Sequence, residues 1–193
     1  MAYLGQGSGA LGIIDVEKGE LVGNISLAGH PEELELEKSG PRIFVNVPAD
    51  ASVTVIDREK RSVIAKWPVK ISNREYPMAL DEANHRLFVG TRDPDKLVVF
   101  DTASGNVVAD IDISKDPDDI SYDAKTKLLR VSCGEGFVNV IKQEDPDHYQ
   151  LVGKVPSGIG GRTSIFVPEY GRIYVGIPST NDKLVEVRVL GAR

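Results

Sequence analysis

An apolar triplet closing on Asp, or on a residue standing in for it, recurs along the whole chain. The copies are Ile13-Ile14-Asp15, Val55-Ile56-Asp57, Val99-Phe100-Asp101, Val140-Ile141-Lys142 and Glu186-Val187-Arg188, and successive copies lie 41 to 46 residues apart. A period of this length, written in short strands, marks the blades of a β-propeller, each blade being a four-stranded antiparallel sheet. The expected fold class is therefore all-β, with about four to five blades: three complete and two partial. Repeats of this kind decide architecture and say little about chemistry.

Residues 30–69 give the clearest unit. Glu33-Leu34-Glu35-Leu36 alternates polar and apolar, as a half-buried strand A should. Arg42–Val47 is a near-continuous apolar run that fits a strand B covered on both faces. Strand C follows at Val53–Asp57 and strand D at Val63–Val69, with turn-rich residues between. The same order predicts A to D at Met78–Leu80, Arg86–Thr91, Leu97–Asp101 and Val107–Ile113. It predicts them again at Ile120–Tyr122, Leu128–Cys133, Val138–Lys142 and Gln150–Val155. A scrap of B, a C at Leu11–Asp15 and a D at Leu21–Leu27 come before these units, and A, B and C at Ser164–Val167, Arg172–Ile177 and Leu184–Leu190 come after.

The 193 residues then form a single propeller domain divided into a partial blade 1–29, blades 30–75, 76–115 and 116–160, and a partial blade 161–193. Both ends supply a C strand, so a ring of five closed within the chain would leave one C strand redundant. The expectation is part of a larger ring, or a protomer that hides its strand edges by association, because unpaired edges invite pairing. A five-bladed ring is the alternative.

A net charge of −6 with no basic run argues against nucleic-acid or anionic-membrane partners, since phosphate recognition needs clustered Lys and Arg. No stretch of 18 apolar residues exists, so membrane insertion by a helix is not expected. The start, Met1-Ala2-Tyr3-Leu4-Gly5, lacks the basic and apolar regions of a secretory leader. The one cysteine, Cys133, excludes an internal disulfide and leaves the compartment open.

The repeat text "HPEELELEKSGPRIFVNVP", "VTVIDREKRSVIAKWPV", "YPMALDEANHRLFVGTR" and "LVVFDTASGNVVADI", with "RIYVGIP" near the end, resembles the YVTN-type β-propeller proteins of bacteria and archaea. The resemblance spans essentially the whole chain. It implies a propeller, most often seven-bladed, in proteins that are frequently exported and bind ligands or partners, which points to a periplasmic or secreted setting if the chain is truncated. The haem d1 domain of nitrite reductase and lactonase-like propellers are related. No single activity defines the family, so it supplies no catalytic residue.

Among the motifs, Gly7-Ser8-Gly9-Ala10-Leu11-Gly12 matches the dinucleotide fingerprint G-x-G-x-x-G, which works only where a helix follows. Here a strand follows, and the glycines fall at a B–C loop. Asp15, Asp57 and Asp101 each precede a tight turn, two of them with Gly19 or Gly105 four residues on, and read as turn caps. Cys133 occupies a strand-B position held elsewhere by Val47, Thr91 and Ile177, and reads as a small buried hydrophobe. His85 and His148 fall in A–B and C–D connections. His30 lies in a D–A connection near the expected axis, with no second histidine from an equivalent loop to complete a zinc site.

The D–A and B–C loops should share one face, and together carry His30, Glu32, Glu33, Asp50, Arg74, Glu75, Arg92, Asp93, Asp95, Asp116, Asp118, Asp119, Glu135, Arg162 and Asp182. Within this set His30, Glu33, Asp50, Asp93, Asp119 and Arg162 are the candidate ligand- or cation-binding residues. Clustered carboxylates offer oxygen ligands to Ca²⁺ or Mg²⁺, or attract a cationic ligand. No Ser-His-Asp grouping, Cys-x-x-Cys pair or phosphate loop is present.

The leading expectation is a non-catalytic scaffold whose loop face binds a small ligand, an ion or a protein partner, with no resident cofactor. A metal-dependent hydrolase of the lactonase kind is the rival, with Glu33, Asp50, Asp93 and Asp119 as its ligands. A third reading is an assembly module, a homo-oligomer formed through open blade edges.

Overall fold

The computed structural model describes residues 1–72, 74–179 and 184–191. No long apolar stripe of 3.6-residue period runs through the sequence, and the β-branched runs form strands. Among the described residues, eighteen strands make five antiparallel sheets, each ordered as its strands occur in the chain. The first sheet holds β1 (Ala2–Gln6), β2 (Ala10–Asp15) and β3 (Glu20–Ser26). The second holds β4 (Leu34–Leu36), β5 (Arg42–Val47), β6 (Ser52–Asp57) and β7 (Ser62–Pro68). The third holds β8 (Glu75–Asp81), β9 (Arg86–Thr91), β10 (Lys96–Asp101) and β11 (Val107–Asp112). The fourth holds β12 (Pro117–Asp123), β13 (Leu128–Cys133), β14 (Phe137–Asp145) and β15 (His148–Pro156). The fifth holds β16 (Thr163–Val167), β17 (Arg172–Ile177) and β18 (Glu186–Gly191).

These sheets are the blades of a β-propeller. The A-to-D order of strands holds in every unit, and the scrap of B is a full strand, β1. In the fifth blade, however, Gly191 and not Arg188 pairs with the first residue of strand B and takes the place of Asp57, so the expected triplet there is out of register by three. Strands of the fourth blade run longer than expected, because Gln143 is a buried member of β14 rather than the start of a loop.

The blades share two local devices. In the first, second and third, the last residue of strand C caps the turn to strand D. Asp57 Oδ1 accepts the amide protons of Glu59 and Lys60, Asp15 those of Glu17 and Lys18, and Asp101 those of Ala103 and Ser104. The residue four positions on is left-handed: Gly19, Gly105, and in the second blade Arg61 at φ 54°. The other device is a bulge between strands C and D at Ile13/Ile14, Val55/Ile56, Val99/Phe100 and Val140/Ile141. A bulge raises local twist, which suits a blade that must turn from the axis to the rim.

The core is not central but divided among the seams between blades. Leu11, Ile13 and Ile25 meet Ile43, Val45, Val47 and Ile56 at the first seam. Phe44, Val53 and Val55 meet Met78, Leu87, Val89, Val98 and Phe100 at the second. Ala79, Phe88, Leu97 and Val99 meet Leu129, Val131, Cys133 and Ile141 at the third. The fourth is thinner: Val138 against Ile173, Val175 and Ile177. Cys133 is thus a core hydrophobe, and burial pushes its thiol up to about 12.

The middle of strand B sends its side chain toward the following blade. Tyr3, Phe44 and Phe88 fill the first three seams, while the register puts Arg130 and Tyr174 at the same position of the fourth and fifth blades. An arginine at the start of strand B adds a clamp. Arg42 reaches the Thr102 carbonyl of the next blade, and Arg86 reaches the Pro146 carbonyl and Asp147 of its own next blade.

The two outer faces are bare. Ile165 (63% exposed), Val187 (65%) and Val189 stand on the far face of the fifth blade, where the third blade buries Ala79, Leu97 and Val99. Leu4 (57%) is exposed on the near face of the first blade, where the second buries Val45. Among the described residues the five blades therefore do not close on one another through these faces.

Candidate functional site

The D–A and B–C connections lie at one end of the blades, and strand A brings its first residues there. In the second blade, Glu32 and Glu33 lie opposite the single residue Asn46: the Glu32 amide donates to the Asn46 carbonyl and the Asn46 amide to the Glu33 carbonyl, both at 3.0 Å. A matching irregularity falls before Met78 in β8 and before Asp119 in β12. Aligned on strand B, Glu33, Pro77, Asp119 and Thr163 take equivalent places, and Glu32, Tyr76, Asp118 and Arg162 form the row before them.

This arrangement gathers carboxylates from different blades. Burial, then the charges of Asp119, Glu35 and Asp118, pushes the Glu33 carboxyl up to about 7. Burial also raises Glu35 to about 7, with Lys38 opposing. Asp119 is raised by burial and by Asp118, although its carboxylate accepts the Ser164 amide proton at 2.5 Å. Asn46 is fully buried; its Nδ2 donates to the Tyr76 carbonyl at 2.9 Å, and its Oδ1 has no partner among the described residues.

Two arginines border the acidic group. The Arg92 guanidinium lies over the Tyr76 ring, 4.0 Å from its centroid, and donates to the Pro117 carbonyl. It also meets Asp118 at 2.7 Å and Asp116 at 3.0 Å. Arg162 reaches Asp116 at 2.7 Å and Asp118 at 3.5 Å. Asp116 and Asp118 are therefore neutralised by a pair of arginines, whereas among the described residues Glu33, Glu35 and Asp119 form no salt bridge, Lys38 acting on Glu35 only through space.

Of the six candidate residues, the structure brings Glu33 and Asp119 together, with Arg162 beside them. Asp50 is drawn outward to Lys66 on β7, and Asp93 pairs with Arg74 at 2.5 Å in the open. His30 is exposed and stands apart. In the wider set, Asp95 accepts the Asp116 amide proton and Glu135 that of Lys115. The Glu75 side chain and Asp182 lie outside the described residues. Among the described residues no three of His, Cys, Asp and Glu are gathered in a metal-holding group, so the Ca²⁺ or Mg²⁺ expectation finds no ligand set. The Gly7–Gly12 loop leads into β2, a strand.

Glu35 and Tyr76 were not among the expected residues. The alternation of β4 reads Glu35 as water-facing, yet its register partner Phe44 points into a seam. Alignment of Glu35 with Ala79, Ser121 and Ile165 is the signal that places it on an inter-blade face.

No family model and no curated protein matches the chain. Solved structures do. A chain from "Crystal Structure of Mitotic Checkpoint Complex" superposes with a TM-score of 0.81 at 13% identity, over 98% of this chain and 59% of that one. A chain from "Kuenenia stuttgartiensis Hydrazine Synthase" superposes at 0.77 and 14% identity, over 95% of this chain and 57% of that one. At these identities the similarity establishes the fold, an all-β propeller. The chain spans less than two thirds of the length of either neighbour.

No helix among the described residues is long and apolar enough to cross a membrane.

Proposed function

We propose that residues 1–193 act as one propeller unit, a non-catalytic scaffold that binds a positively charged group at its D–A and B–C face. The observation that carries this reading is the trio Glu33, Glu35 and Asp119, which has no salt-bridge partner among the described residues. Burial raises two of its members to about 7, and for Glu33 the charges of Asp119, Glu35 and Asp118 add to it. An incoming ammonium or guanidinium would relieve that repulsion and supply the missing counter-charge. Asn46 Oδ1 beside Glu33, without a partner among the described residues, offers a further acceptor. A structural neighbour drawn from a protein complex, and the YVTN-type character of the repeats, support a binding role. The lactonase-like alternative has no gathered ligand set among the described residues to support it.

Titration calorimetry with spermidine, a small polycation, tests the reading. Binding should strengthen from pH 6 to pH 8 as the glutamates ionise, and Glu33→Gln with Glu35→Gln should weaken it about tenfold or more. Affinity unchanged by pH and by both substitutions would refute it.

A second reading, assembly, is favoured by the bare apolar faces bearing Leu4, Ile165 and Val187. A solution mass equal to one chain at about 100 μM would refute it, a concentration at which an interface of ordinary affinity is occupied.

A further inference from the structure

The seam between the fourth and fifth blades departs from the repeat at two positions of one strand. Strand B of the second and third blades opens with Arg42 or Arg86, which clamp the next blade, and continues with Phe44 or Phe88, which fill the seam. In the fourth blade the corresponding residues of β13 are Leu128 and Arg130. Both the clamp and the aromatic filler are lost at the same joint.

A cavity of about 190 Å³ results, lined by Leu128, Val138, Val140, Ile173 and Leu190 with Arg130 in its wall. Gly171 and Gly191 border it, and a side chain at Gly171 would meet nothing within 4 Å, so the rim is open there. This end of the seam carries the A–B turns, opposite the acidic site described above.

Arg130 is the polar feature of this apolar wall. Its guanidinium packs 3.9 Å above the Phe166 ring centroid, and its Nη1 is shielded from solvent with no acceptor among the described residues. Asp123 acts on it through space and forms no hydrogen bond with it; the Asp123 oxygens accept from the Lys125 amide and the Thr126 hydroxyl. A buried N–H donor without an acceptor is a standing cost, and a carboxylate is its natural complement.

We propose that this seam is a binding site for a small monocarboxylate with an apolar body, its carboxylate on Arg130 and its tail among Val138, Val140, Ile173 and Leu190. A dry cavity of about 150 Å³ holds benzene, so this one admits a chain or ring of about eight to ten heavy atoms. The apolar walls supply burial, and the Arg130 guanidinium selects the acid over a neutral analogue.

Octanoate is the probe, with 1-octanol as its neutral counterpart, and calorimetric melting as the readout. Octanoate should raise the melting midpoint by a few degrees, growing with the logarithm of its concentration, and 1-octanol should do so less. Arg130→Phe restores the repeat and fills the cavity, and should abolish both responses. Arg130→Met keeps the length without the charge; it should remove the preference for octanoate and weaken its binding about tenfold or more. No saturable shift in the unaltered protein up to about 10 mM octanoate would overturn the proposal. An undiminished shift in Arg130→Met would overturn it equally, and that variant decides the matter should Arg130→Phe fail to fold.

Discussion

Asp119 accepts the backbone amide proton of Ser164 at 2.5 Å, so the innermost strand of the fourth blade holds the innermost strand of the fifth directly. Asn46 does the same for the Tyr76 carbonyl between the second and third blades, and Arg92 for the Pro117 carbonyl between the third and fourth. The candidate site and the belt that ties the blades around the axis are thus made of the same side chains. Asp119→Ala should cost about 2 kcal/mol, the scale of losing a charge-assisted hydrogen bond and stranding a part-buried amide. Urea unfolding followed by circular dichroism would measure it, and Asp119→Asn should recover part of the loss.

Glu33 and Glu35 give the molecule an unusual pH response. Below about pH 4.5 both are protonated in folded and unfolded chains alike. Between there and pH 7 the unfolded chain releases its protons while the fold retains them. The unfolded state then binds fewer protons, so stability falls as pH rises through this window and levels off above it. Calorimetric midpoints from pH 4.5 to pH 8 should show that decline in the unaltered protein and a shallower one in Glu33→Gln with Glu35→Gln.

Glu82 works in the opposite sense at the other end of the blades. Its carboxylate accepts the Lys38 and Ser39 amides at 2.9 Å and 2.7 Å together with the Ser39 hydroxyl, and the hydroxyl bond leads in holding it at about 2. Its contribution is present above about pH 4.5 and is lost as pH falls toward 2. Glu82→Ala should cost about 1 kcal/mol at neutral pH, given the exposure of the site, and nothing near pH 2.

Gly19 and Gly105 occupy the same turn position and should respond differently to alanine. Both have positive φ, at 68° and 74°. A Cβ at Gly19 would meet nothing within 4 Å, so Gly19→Ala should cost only the left-handed strain, about 1 kcal/mol. A Cβ at Gly105 would collide with the Trp67 ring, and Gly105→Ala should cost about 2–4 kcal/mol as the indole is displaced. Equal losses in urea unfolding would show that Trp67 yields freely.

The fold was legible because the first three blades repeat one strand-C and turn chemistry and the last two keep the same order of strands. Strand C keeps its apolar run and closing aspartate where neighbouring blades demand them, and Asp57 and Asp101 cap their turns as their spacing with Gly or a left-handed residue implies. The site was legible only in part. Loop polarity flags Asp50, Asp93 and Asp119 equally, and only packing decides that Lys66 and Arg74 take the first two while Asp119 turns to the axis. Glu35 was hidden because alternation in a single strand does not say whether its polar face meets water or another blade. Arg130 was hidden differently: its position carries meaning only when set against Phe44 and Phe88.

Trp67, the chain's one tryptophan, stacks between Phe44 at 5.4 Å and Phe100 at 6.2 Å in the second seam. Intrinsic emission from this protein therefore watches a single joint. A change in its colour or intensity reports the parting of the second and third blades, and leaves silent an opening elsewhere, including the loosely filled fourth joint two positions away.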